Sequence, residues 1–197
     1  MCLDKNQNNI DIVVRVFHWL LVILFVMLFI TGNGYYDDSS HILLGYLLIS
    51  LIISRIAWGL MGVHNALWKN YLYTPKAVLN YLSKLTQNKP IAFKVHNPAG
   101  SMMVLIMLLM LIMISVSGLL AQGLFELDGA FYALTQHFSD SQAFLTRSIH
   151  DDLSQLMLFA IIFHVSGVVY SSKIYNINLP LMMLSGKRHP FQTGDKP

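Results

Sequence analysis

Four histidines lie within or at the ends of long apolar segments, and these are the side chains best suited to chemistry. They are His18, His41, His150 and His164. An ionisable side chain at membrane depth is costly to desolvate, so such residues mark candidate functional sites. A neutral imidazole is also a strong ligand for transition metals, iron included. The sequence therefore presents these four histidines as candidate metal ligands.

The spacing of two of them adds a geometric constraint. His150 and His164 are fourteen residues apart in the last apolar segment. On a helix, that offset places them about 40° apart around the axis and about 21 Å apart along it. The axial separation is most of the roughly 30 Å hydrocarbon thickness of a bilayer. The spacing favours two cofactor sites along one helix, one near each membrane surface.

Composition indicates a membrane protein. Of 197 residues, 55% are hydrophobic and 12% are charged, whereas soluble domains carry about 25% charged residues. Four apolar segments are long enough to span a membrane, at about residues 12–32, 42–62, 99–121 and 150–171. We predict an all-α fold: a four-helix transmembrane bundle with cofactor sites between helices, forming a single membrane domain over residues 1–197.

The N-terminal residues bear on how the chain is anchored and on how it could bind a haem. The polar start, Met1 to Asp11, lacks a signal-peptide pattern, so we expect the first apolar segment to remain as a span. The only cysteine, Cys2, excludes an intramolecular disulfide and a Cys-x-x-Cys-His site for covalent haem. The basic residues form no nucleic-acid-binding patch.

Charge in the connections predicts the orientation. The connection between the second and third spans contains five lysines and no acidic residue. In the two other connections the charged residues are mainly Asp and Glu. The positive-inside rule then places both termini and this connection in the cytoplasm. Within it, residues Ala77 to Leu85 after Pro75 predict a short interfacial helix.

Depth in this topology predicts two histidine pairs. His18 and His164 lie in the cytoplasmic half, and His41 and His150 lie at the outer surface. Facing helices build cofactor sites of this kind, and two axial histidines on a haem iron favour electron transfer. We therefore predict two non-covalent bis-histidine haems. The remaining histidines are expected to be polar surface residues: His64, His96, His137 and His189.

Two arginines are candidate partners of haem propionates. Arg55 follows His41 by fourteen residues and faces the same way, and Arg15 lies one turn before His18. The alternative for both is that the side chain snorkels to the lipid headgroups. For the histidines the alternative is a haem-free transporter or scaffold in which they carry protons.

Several motifs resemble the bacterial cytochrome b561 and nickel-hydrogenase b-type cytochrome family. The opening Arg-Val-Phe-His-Trp at residues 15–19 resembles the family's first span. Further motifs match the later spans and their flanks: His41-x-x-x-Gly45-Tyr46, Arg55-Ile-Ala-Trp58-Gly59, His96-Asn97-Pro98-Ala99-Gly100 and Met183-x-x-Gly186-Lys187. The resemblance implies a bundle with two haem b groups, with His18, His41, His150 and His164 as ligands.

The resemblance also implies a function. Such proteins carry electrons across the bacterial inner membrane between the quinone pool and a redox partner, either a cytochrome c or a dehydrogenase module. The chain is shorter than the hydrogenase subunits and lacks a fifth span, which disfavours a hydrogenase partner. An alternative is a stand-alone quinone/superoxide oxidoreductase at the outer face. The sequence contains no dinucleotide, flavin or iron–sulfur motif, and no catalytic residue is assigned.

Overall fold

A computed structural model describes residues 10–35, 38–62, 66–87 and 97–190, and most of these residues are helical. The helices are α1 (Ile12–Ile30), α2 (Asp38–Met61), α3 (Pro75–Thr86), α4 (Pro98–Phe125), α5 (Tyr132–Thr135), α6 (Asp140–Tyr175) and α7 (Leu179–Ser185). No strand occurs among these residues, and one isolated bridge pairs Ile177 with Pro190. The predicted all-α fold is confirmed.

Among the residues that the structure describes, four helices are long and apolar enough to cross a membrane, as predicted: α1, α2, α4 and α6. The first, second and third agree with the predicted spans to within a few residues. The fourth helix is longer than the predicted span: α6 begins at Asp140 and ends at Tyr175. At its start, the Ser139 backbone N–H donates to Gln142 Oε1 at 2.9 Å, which is one half of a capping box. His150 therefore lies about three turns inside the helix rather than in its first turn.

The C-terminal end of α1 leaves regular helical geometry abruptly. Asn33 has φ −93° and ψ 21°, and Gly34 has φ 82°, a left-handed conformation that glycine adopts without steric cost. The Asn33 side-chain amide donates to the Phe29 carbonyl at 2.6 Å, which satisfies one of the last carbonyls of the helix. Thr31 directly follows the last residue of α1 and begins the short π-helical segment Thr31–Tyr35.

The chain divides into two compact units, each with its own buried residues. The first unit comprises Met1–His18, Arg55–Ile106 and Ile161–Pro197, so far as these are described, and the second comprises Trp19–Ser54 and Met107–Ala160. The first buries Ala66, Tyr71, Tyr81 and Leu85; the second buries Leu48, Ile52, Met110, Leu111, Ile114 and Met157. His18 and His164 belong to the first unit, and His41 and His150 to the second. That the chain forms a single membrane domain stays a prediction.

Helix α3 confirms the short helix predicted between the second and third spans. The Thr74 hydroxyl accepts a hydrogen bond from the Ala77 backbone N–H at 3.3 Å, and Pro75 occupies the first turn. Both features favour a helix start. Tyr81 is 2% exposed, and its hydroxyl accepts a hydrogen bond from the Tyr175 hydroxyl of α6 at 3.1 Å. Burial raises the pKa of Tyr81 above its ordinary value.

The raised pKa predicts that alkaline pH weakens the attachment of α3. Above pH of about 10 an unfolded tyrosine loses its proton, whereas the folded Tyr81 keeps its proton, so the free energy of unfolding falls as pH rises. Below pH of about 10 we expect Tyr81→Phe to lower that free energy by about 1 kcal/mol, through loss of one hydrogen bond. The gap between wild type and variant should narrow above this pH.

Thermal unfolding followed by circular dichroism at pH 8 and at pH 10.5 measures this effect. Tyr132→Phe is the control, because the Tyr132 side chain is exposed. A gap between wild type and Tyr81→Phe that stays constant across both pH values would contradict the assignment.

Candidate functional site

His41 of α2 and His150 of α6 lie side by side in the second unit. Their ring centroids are 6.2 Å apart and the ring planes meet at 89°. A metal–imidazole nitrogen bond is about 2 Å long, so two imidazoles on opposite sides of one metal ion have ring centres about 6 Å apart. The predicted pairing of His41 with His150 therefore has the spacing of two axial ligands.

The hydrogen bonds of His150 define its tautomer. Its Nδ1 lies 3.1 Å from the Ile114 carbonyl oxygen and 3.1 Å from Ser117 Oγ. A carbonyl oxygen can only accept, so Nδ1 carries the proton. The Ser117 hydroxyl donates to the same Ile114 carbonyl at 2.9 Å, which leaves its oxygen to accept from Nδ1–H. In the neutral ring Nε2 is then the nitrogen with a lone pair for a metal.

His41 has an equivalent hydrogen bond. Its Nδ1 lies 3.0 Å from Thr31 Oγ1. The Thr31 hydroxyl lies 3.0 Å from the Met27 carbonyl and 3.1 Å from the Leu28 carbonyl. A Thr31 hydroxyl that donates to either carbonyl accepts a hydrogen bond from Nδ1–H of His41. In that tautomer, which is the one assigned to His150, Nε2 is the nitrogen with a lone pair for a metal.

A glycine follows each hydroxyl residue and makes room for the imidazole. A Cβ atom on Gly32 would lie 3.1 Å from His41 Cε1, and a Cβ atom on Gly118 would lie 3.0 Å from His150 Cε1. Both distances are shorter than ordinary van der Waals contact. Sequence reasoning missed these dipeptides. The sequence signal that could have identified them is the hydroxyl–glycine pair itself. This signal is not specific, because Ser166-Gly167 has the same pattern without a histidine against it.

The first unit contains the other predicted pair. His18 of α1 and His164 of α6 are both half-buried, and they are close enough to interact electrostatically. The structure thus brings together both pairs that the sequence predicts. Among the described residues, no group of three or more His, Cys, Asp or Glu side chains could hold a metal ion. Paired histidines suit a haem, whose macrocycle supplies the other ligands of the iron.

Arg55 lies in an aromatic cage in the first unit. Its guanidinium carbon is 4.2 Å from the centroid of the Trp68 ring, 5.7 Å from that of Tyr71 and 6.0 Å from that of Phe17. The residue is 4% exposed, and Nη1 donates to the Ala66 carbonyl at 3.4 Å. Burial raises the pKa of Tyr71, so its ring stays neutral beside the cation. Arg55 is therefore held inside the protein by cation–π contacts and does not snorkel.

Arg15 contacts the C-terminal end of α7. Its Nη1 donates to the Leu184 carbonyl at 2.7 Å, one of the last carbonyls of that helix. Gly186 follows with φ 77°, and a Cβ atom there would lie 2.8 Å from Arg15 Cζ. A cation at a helix C-terminus is favourable. Arg15 thus holds α7 against α1, a contact that the sequence did not predict.

Of the four remaining histidines, the structure describes two, His137 and His189. His137 is exposed, as predicted. His189 is partly buried, and its Nε2 lies 3.0 Å from Ser185 Oγ, which places it in the structure around α7. His64 and His96, for which a surface position is predicted, lie outside the described residues.

Gly59 packs tightly against Trp68, so a larger residue at this position should disturb the aromatic cage around Arg55. Trp68 donates its indole N–H to the Ile56 carbonyl at 3.1 Å, and a Cβ atom on Gly59 would overlap the Trp68 ring. Gly59→Ala should displace Trp68 and lower the free energy of unfolding by about 1–3 kcal/mol.

Thermal unfolding and tryptophan emission measure this displacement. Gly167→Ala is the control, because a Cβ atom there meets no atom within 4 Å. If Gly59→Ala keeps the stability and the emission of the wild type, the described contact is wrong.

Comparison with known proteins gives the family. No curated protein and no solved structure matches the chain significantly. The family model of prokaryotic cytochrome b561 matches residues 9–186, which include all four helices of spanning length and all four paired histidines. The chain therefore belongs to the prokaryotic cytochrome b561 family of b-type, haem-binding membrane cytochromes that act in electron transfer.

Proposed function

We propose that this chain is a di-haem cytochrome b that carries electrons across the bacterial inner membrane. The electrons would pass between the quinone pool and a redox partner at one face, either a cytochrome c or a dehydrogenase module. The observation that carries the proposal is the His41–His150 pair, with centroids 6.2 Å apart and with Nδ1 of each ring hydrogen-bonded to a protein oxygen.

The chemistry of this pair fits a haem iron. His41 and His150 each offer an unprotonated Nε2, and together they would occupy both axial positions. A closed coordination sphere favours outer-sphere electron transfer over oxygen binding. A bound haem supplies one-electron redox chemistry, and the protein fixes its orientation and surroundings.

The second site would be held by His18 and His164. Helix α6 contributes one histidine to each pair, so a single continuous helix carries a ligand for both sites. Arg55 provides a buried positive charge in the same unit as His18 and His164. That charge favours the carboxylate groups of a haem there through charge-assisted hydrogen bonds. Arg15 donates one of its five N–H groups to Leu184, and its buried Nε has no hydrogen-bond partner among the described residues, so it stays a second candidate partner of a propionate.

Histidine substitutions test the ligand assignment. Wild-type protein purified in detergent should contain two haem b groups per chain. His150→Ala should contain one, because the outer haem loses an axial ligand, and His150→Ala combined with His18→Ala should contain none. The haem content is measured from the pyridine haemochrome relative to protein. His137→Ala, which removes an exposed histidine, is the control and should keep two.

Two results would overturn the proposal. Retention of both haems in His150→Ala would exclude the pairing, and loss of a haem from His137→Ala would show that haem content does not report the ligands. The quinone assignment is tested in the same samples. A short-chain quinol should reduce the haems of the wild type, or a short-chain quinone should oxidise the reduced haems, and failure of both reactions would exclude the quinone pool as the electron source or sink.

A further inference from the structure

Two hydroxyl–glycine dipeptides contact the outer histidines in nearly the same way. Thr31-Gly32 lies against His41 and Ser117-Gly118 lies against His150. The hydroxyl oxygens lie 3.0 Å and 3.1 Å from the respective Nδ1 atoms. A Cβ atom on either glycine would lie 3.4 Å from Nδ1 and 3.9 Å from Nε2 of the facing ring. The segment that directly follows α1 and the helix α4 thus present the same contact to two different imidazoles.

Each dipeptide fixes two properties of its imidazole. Each hydroxyl donates its own proton to a backbone carbonyl one turn earlier and is placed to accept Nδ1–H, which favours the Nδ1-protonated tautomer; at His150 the Ile114 carbonyl accepts the same proton. The glycine leaves the space that the ring edge occupies, so the ring approaches the neighbouring backbone closely. A larger residue would push the ring away, and an apolar residue in place of the hydroxyl would remove an acceptor for Nδ1–H.

We propose that Thr31 and Ser117 are positioning residues that set the redox potential and the retention of the outer haem. The inference rests on the proposed function, because it takes His41 and His150 as axial ligands. An Nδ1–H donated to an oxygen makes the imidazole a more basic ligand. A more basic ligand stabilises ferric iron more than ferrous iron and lowers the midpoint potential. Loss of either hydroxyl should therefore raise the potential.

A purely structural role for the hydroxyls is the competing explanation. Serine and threonine often donate to a carbonyl one turn earlier in a helix without any further function. Ser50 makes such a contact with the Tyr46 carbonyl at 2.9 Å. It follows His41 by nine residues on α2, so it lies on about the opposite face of that helix. Ser50→Ala therefore removes the same kind of hydrogen bond away from the imidazole.

The experiment uses the full chain with the His18→Ala substitution, so that only the outer haem is bound. Thr31→Val and Ser117→Ala are compared with Ser50→Ala by redox titration. We expect each of the first two to weaken ferric relative to ferrous binding about tenfold, an upward shift of about 59 mV for a one-electron couple. Transfer of haem to an apoprotein acceptor should be about 10–100-fold more favourable. Ser50→Ala should leave both quantities unchanged.

Conservative variants separate the hydroxyl from the side-chain volume. Thr31→Ser and Ser117→Thr keep a hydroxyl and should retain a potential near that of the parent. If Ser117→Ala binds no outer haem, retention in Ser117→Thr supports the proposal and loss in both overturns it. An unchanged potential in Thr31→Val and Ser117→Ala, or an equal shift in Ser50→Ala, also overturns it.

The failure of this inference can be distinguished from failure of the proposed function. If His41→Ala and His150→Ala in the same background still bind the haem, the ligand assignment is wrong. If both lose the haem and the hydroxyl variants titrate like the parent, the ligand assignment stands and the positioning role is excluded.

Discussion

The hydrogen bond that Nδ1 of His41 and of His150 makes with a protein oxygen is the interaction on which the arrangement of this histidine pair depends. A polar nitrogen inside an apolar helix bundle is costly unless it is paired. His150 pairs its Nδ1–H with the Ile114 carbonyl and Ser117, and His41 pairs with Thr31. Once Nδ1 carries a proton that a protein oxygen accepts, Nε2 is the nitrogen that would bind iron in the proposed haem site. The same contact thus offsets the cost of burying Nδ1 and sets the orientation of the imidazole.

In the first unit, aromatic rings stabilise a buried positive charge. Arg55 is almost fully buried, and its guanidinium lies against the faces of Trp68, Tyr71 and Phe17. The Trp68 ring is itself held by a hydrogen bond to Ile56 and by the absence of a side chain on Gly59. A cation fixed in this way favours a carboxylate nearby. Arg15, for which the sequence predicts the same role, also donates a hydrogen bond to the end of α7.

The parts that could be predicted from the sequence depend on local pattern. Apolar length identifies the four spanning helices, and the positions of His18, His41, His150 and His164 within them indicate the pairs. The Thr31 and Ser117 contacts and the Arg55 cage could not be predicted, because they depend on which helix faces touch. The early start of α6 was missed as well, since residues 140–149 are polar enough to look like a connection although they extend the helix.

The most direct test of the account is the haem content and spectrum of the purified wild-type protein. A reduced-minus-oxidised spectrum together with the pyridine haemochrome gives the type, spin state and number of haems per chain. The account predicts two haem b groups per chain, both low-spin in both redox states, because two histidines close each iron. One haem per chain, or a high-spin haem that binds external ligands readily, would contradict the proposed pair of bis-histidine sites.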